Sequence, residues 1–164
     1  MKRSLESALR FVNLTTSGLL AGSLGFGDAA LVPGWQHELP RDAKLRPFDA
    51  ARVASYFNAI GPVALASAVT LAIAARGHGA MRRLLDAASV VGLAGVLATT
   101  VMVTVPINRK LEEQAPSDYA REDAQSMSRN WRRTHAVRTT LGVGAFLCAV
   151  ASNLALGSPH RAAK

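Results

Sequence analysis

Residues 53–75 read VASYFNAIGPVALASAVTLAIAA, 23 consecutive residues without one charged side chain. A helix rises about 1.5 Å per residue, so this stretch gives roughly 30–35 Å, the thickness of a bilayer's hydrocarbon core. Backbone groups in lipid must be satisfied within the segment, which selects a helix. Three more stretches repeat the pattern. Residues 11–32 carry only Asp28, residues 84–105 only Asp86 near their start, and residues 136–156 only Arg138 near theirs. The expectation is an all-α, four-helix transmembrane bundle forming one integral membrane domain over residues 1–164. Its partner along the outer surface is the lipid bilayer.

The 164 residues have a formal net charge of +8. A nucleic-acid-binding domain would gather those bases on one polar face and interleave aromatics for stacking. Here the bases fall in short runs between long uncharged stretches, and only two Trp, two Tyr and five Phe are present. Nucleic acid is therefore excluded as a partner. The single cysteine, Cys148, lies in an apolar run and reads as a packing residue. A cleaved signal peptide competes for the first segment, but a run of 22 residues that contains Asp28 and ends in VPGW reads as a retained helix.

The segments are rich in Ala, Gly, Ser and Thr, which permits close helix packing. Gly18, Gly22, Gly25 and Ala29 form one smooth stripe, and Gly142, Ala145, Ala149 and Ser152 form another; both are expected to face neighbouring helices. Residues 76–83 make a tight turn, whereas 33–52 and 106–135 are long connections on the opposite side of the membrane. The short-turn side holds eight Lys and Arg and the long-loop side eleven. Because orientation is weighted to short loops, both termini are expected in the cytoplasm.

Ionisable groups within a membrane span are costly and point to function. Asp28 shares one side of the first helix with Asn13, Ser17, Ala21 and Leu24, so it is expected to turn inward and face Arg138 or His135. The stretch NWRRTHAVRTTLG, residues 130–142, is preceded by SDYAREDAQSMS with no Gly or Pro between. One helix is therefore predicted to start near Ser117 or Asp118 and run from the loop into the membrane. Trp131, His135 and Arg138 fall at i, i+4 and i+7 on the face continued by Gly142, Ala145 and Ala149. Arg132 and Arg133 fall off that face and read as border charges.

Together with VPINRKL at residues 105–111, this gives V-P-x-N closing the third helix and W-x3-H-x2-R opening the fourth. The pattern resembles the anthrone-oxygenase-like family of small four-helix membrane proteins, whose motif takes Asn or His at the position of His135. The resemblance implies an oxygenase that converts a hydrophobic aromatic anthrone to an anthraquinone with O2 as co-substrate and no cofactor. It places Pro106, Asn108, Trp131, His135 and Arg138 at the motif positions. The methylene carbon of an anthrone is acidic, so such a reaction needs a general base and donors for the developing oxyanion. His135 would be the base, Arg138 and Asn108 the donors, with Asp28 opposite; Trp131 and Pro106 would contact substrate.

Two alternatives stand beside this reading. A metal or haem site would use His37 and His135 with Glu38, Asp28 or Glu112, although no H-x-x-H or H-E-x-x-H spacing is present. A non-catalytic partner subunit, or a small-molecule binding or transport module, fits the same architecture; a transporter of this size would act as a homo-oligomer.

Overall fold

The computed structural model describes residues 3–31, 50–77, 79–107, 109 and 121–155. Four long helices account for most of them: α1 (Arg3–Phe26), α2 (Ala50–Ala74), α3 (Ala80–Thr99) and α4 (Arg121–Leu154). Among the described residues there is no strand. Contacts run α1–α2, α2–α3, α3–α4 and α4–α1, so the helices close a ring in chain order, with α3 and α4 packed most extensively. This is an up-down-up-down bundle.

Three spans are long and apolar enough to cross a bilayer: Val53–Ala74, Ala80–Ile107 and Arg129–Leu154. The protein is accordingly an integral membrane protein of helical-bundle type. α1 is more polar than these three but packs against α2 and α4 in the same ring. The surface is what a lipid solvent requires. Phe11, Phe26, Leu84, Val91, Met102 and Leu147 are all more than half exposed, while Asn13, Ser17, Ser67, Ser89 and Ser152 are buried. Lipid gives no reward for hiding apolar side chains, so the interior is left for small and polar residues that hydrogen-bond between helices. A compact apolar layer (Leu20, Leu24, Ala64, Ala68, Leu93, Val96 and Ala145) separates the two ends of the bundle.

α4 runs unbroken for 34 residues, from the long-loop side into the bundle, as the absence of Gly and Pro before Gly142 predicts. The predicted starting point at Ser117 or Asp118 lies outside the described residues. The stripe Gly142, Ala145, Ala149 and Ser152 is buried throughout. Its tightest point is opposite Gly92, where a Cβ would stand 2.9 Å from both the Ala145 Cβ and the Leu141 carbonyl oxygen. Backbone cannot retreat as a flexible side chain can. Gly92→Val should therefore wedge α3 from α4 and cost about 3 kcal/mol, read as easier unfolding in a denaturing-detergent titration. A loss below about 0.5 kcal/mol would show the contact to be slack.

The corresponding expectation for α1 is corrected. Gly22 and Ala29 are exposed, and a Cβ on Gly22 or Gly25 would meet nothing within 4 Å. The buried face is Asn13, Ser17, Leu20, Ala21 and Leu24. Polar satisfaction decides the choice: Asn13 Nδ2 donates to the Ala64 carbonyl at 3.3 Å and lies 3.2 Å from Ser67 Oγ. Turning that amide to lipid would forfeit these bonds, whereas a smooth glycine face loses little there.

Candidate functional site

At the long-loop end, α4 delivers two ionisable side chains to the interior. His135 is 6% and Arg138 5% exposed, whereas Arg132 and Arg133 face outward. The helical phase read from NWRRTHAVRTTLG is the phase observed.

His135 reaches α1. Its Nε2 lies 3.2 Å from the carbonyl oxygen of Leu24, and Thr139 Oγ1 donates to the same oxygen at 3.4 Å. A carbonyl only accepts, so Nε2 carries the proton and the lone pair of a neutral imidazole resides on Nδ1. Nδ1 is buried and has no hydrogen-bond partner among the described residues. Glycine makes the approach feasible: a Cβ on Gly27 would stand 2.8 Å from Nε2. Trp131, one turn earlier on α4, is half-buried and stacks on the imidazole with centroids 4.8 Å apart and planes 11° from parallel.

Arg138 points toward α3 and α2. Its Nη1 donates to Thr104 Oγ1 at 3.3 Å, and its guanidinium carbon lies 5.8 Å from the centre of the Phe57 ring. That ring offers the cation a favourable face where water is scarce. Arg138 Nε is buried and without a hydrogen-bond partner among the described residues.

Two widened helical turns flank these groups. α1 ends in a π-helical turn at Gly27–Leu31, and α3 continues through another at Thr100–Thr104, where the Val105 amide bonds back five residues to the Thr100 carbonyl. π turns are uncommon and often accompany functional positions. Here one begins at Gly27, beneath His135, and the other ends at Thr104, on Arg138.

The other expected residues divide. Asp28 does not join the buried pair; it is exposed, and Gly27 takes the inward position beside His135. The Asp28 charge is still close enough to act on the imidazole through space. Pro106 follows the second π turn and is exposed. Asn108 lies outside the described residues, as do His37, Glu38 and Glu112 of the metal alternative. Among the described residues, no group of three or more His, Cys, Asp or Glu is placed to hold a metal ion.

A second polar cluster, at the short-turn end, was not foreseen. Arg10, Arg82 and Asp86 are each 5–6% exposed. Glu6 Oε1 accepts from Arg10 Nε at 3.2 Å and from Arg82 Nη2, and Ser152 Oγ donates to Asp86 Oδ1 at 2.5 Å. Arg10 Nη2 and Arg82 Nε approach Asp86 Oδ2 at 3.8 and 3.9 Å. Burial pushes the Glu6 carboxyl up, but the Arg82 and Arg10 guanidiniums outweigh it and hold the group below the usual carboxylate range. Counted one by one, these were border charges. The available signal was spacing: Glu6–Arg10 and Arg82–Asp86 are both i, i+4 pairs at the same end of the bundle.

The model of the family described as anthrone oxygenase matches residues 52–148, which hold α2, α3 and most of α4. No curated protein and no solved structure matches the chain.

Proposed function

The chain belongs to the anthrone oxygenase family, and on that premise we propose that it is a membrane-embedded oxygenase acting on a lipophilic, anthrone-like aromatic with O2 and no cofactor. One observation carries the reading. A buried imidazole with its lone pair on Nδ1 stands three residues along one helix face from a buried guanidinium whose Nε has no partner among the described residues. A base and a hydrogen-bond donor, both withdrawn from water, are what enolisation of such a substrate requires.

The reaction balances without another reductant. His135 Nδ1 takes a proton from the acidic methylene carbon, and Arg138 holds the negative charge that moves to the ketone oxygen. The electron-rich carbon reduces O2 and bonds to it, giving a hydroperoxide. Loss of the second hydrogen from that carbon breaks the O–O bond: one oxygen remains as the new carbonyl, the other leaves as water. Trp131 holds the imidazole plane, Thr104 and Phe57 hold the guanidinium, and Asn108 is a second candidate donor.

The stack of Trp131 on His135 also suits a second reading, in which the pair only braces α4 and the protein binds or carries a small molecule. Turnover separates the two. Purified protein in detergent, supplied with a hydroxylated anthrone, should consume one O2 per quinone formed, well above the uncatalysed autoxidation. Arg138→Ala should lower that excess rate by about 10²–10³, the usual loss of an oxyanion donor. If the excess rate is absent, or survives Arg138→Ala intact, the oxygenase reading fails.

A further inference from the structure

We propose that the buried cluster at the short-turn end is an oxyanion site that takes a phosphate group. The cluster lies at the opposite end of the bundle from His135 and does not depend on the oxygenase reading.

The argument is one of donors without acceptors. Glu6 Oε1 occupies Arg10 Nε and Arg82 Nη2, and Ser152 occupies Asp86 Oδ1. Arg10 Nη1 and Nη2, Arg82 Nε and Nη1, Asp86 Oδ2 and Ser89 Oγ remain buried without a partner among the described residues. Contraction onto Asp86 Oδ2 would satisfy Arg10 Nη2 and Arg82 Nε, now 3.8 and 3.9 Å away. Both Nη1 groups would still face nothing that accepts. Buried guanidinium donors are expensive to leave unpaired, so the unmet demand is for acceptor oxygens from outside the chain.

Water can answer one donor at a time. A phosphate presents several oxygens together and matches the planar fork of each arginine. Charge agrees. The sequence segments on this side of the membrane carry eight Lys and Arg against only Glu6 and Asp86. Depth agrees as well, because Arg10 immediately precedes the first apolar stretch and Arg82 the third. A phosphate can arrive there from solution or as an anionic lipid headgroup.

The test uses the full chain purified in an uncharged detergent. Thermal unfolding and phosphorus NMR line width are followed while inorganic phosphate or a short-chain phosphatidic acid is added. The phosphatidylcholine of the same chain length serves as control. The proposal expects a saturable rise in unfolding temperature that phosphatidylcholine does not reproduce. Saturation by both probes marks a site open to solution, and saturation by phosphatidic acid alone marks a lipid-headgroup site; either supports it. Arg82→Lys keeps the charge but loses the fork, and should weaken binding at least about tenfold. Ser89→Ala removes no charge and should weaken it several-fold. Exposed Arg83, changed to Gln, should leave affinity unaltered. No saturable response of the wild-type protein to either probe overturns the site. So does equal weakening by Arg82→Lys and Arg83→Gln, which would indicate general surface charge.

Discussion

His135→Ala should lower the quinone-forming rate by about 10²–10⁴, the contribution usual for a positioned general base, with less change in the amount of folded protein. Asparagine at the same position sharpens the result. Its side-chain amide can still donate toward the Leu24 carbonyl that Nε2 now contacts at 3.2 Å, so the tie between α4 and α1 is kept. It carries no lone pair basic enough to accept the substrate's proton. A base at Nδ1 therefore predicts that His135→Asn folds well and turns over as poorly as His135→Ala. Near-normal turnover by His135→Asn would assign the residue to positioning and move the base elsewhere. Steady-state O2 uptake on the three proteins, normalised to folded protein, decides among these outcomes.

Asp86→Ala should produce the largest loss of stability, about 3–5 kcal/mol. It leaves Arg10 and Arg82 buried with the single carboxylate of Glu6, and frees Ser152 Oγ from its acceptor. Unfolding by denaturing detergent measures the loss, and Asp28→Ala, which removes an exposed carboxylate, is the control. A difference below about 1 kcal/mol between the two variants would sink this reading. Acid should act in the same direction through Glu6. Its carboxyl is held below the usual range in the folded protein, so its contribution is present above the unfolded pKa. That contribution is lost as pH falls through the lower folded value, because the unfolded chain binds the proton first.

The bundle was legible because its governing constraint is local. An uncharged run such as residues 53–75 must close its own hydrogen bonds, whatever surrounds it. The inward face of α4 was legible for a related reason. His135 and Arg138 share a side with Gly142, Ala145 and Ala149, so polarity and smoothness pointed the same way. On α1 those two cues diverged. Glycines marked one side, Asn13 and Ser17 another, and the choice rested on acceptors offered by α2, a helix more than 40 residues away. Gly27 and Asp28 flank the line of Leu24 almost equally, so only the position of the His135 ring could tell which would be buried. The Glu6–Arg10–Arg82–Asp86 cluster joins the first helix to the third, and no single segment contains it.

The π-helical turns at Gly27–Leu31 and Thr100–Thr104 have a consequence for how this family can vary in length. A π turn is an α turn that has absorbed one additional residue. Removing a residue from 100–104 would restore the ordinary turn and rotate everything beyond it by about 100°, carrying Pro106 and Asn108 to another side of α3. The bundle below and the ionic cluster at the far end would be untouched. A one-residue deletion or insertion is thus a means of re-aiming the mouth on a fixed scaffold. Chains that differ by a single residue at these two places are expected to differ in what they accept more than chains that differ by many substitutions on the lipid face.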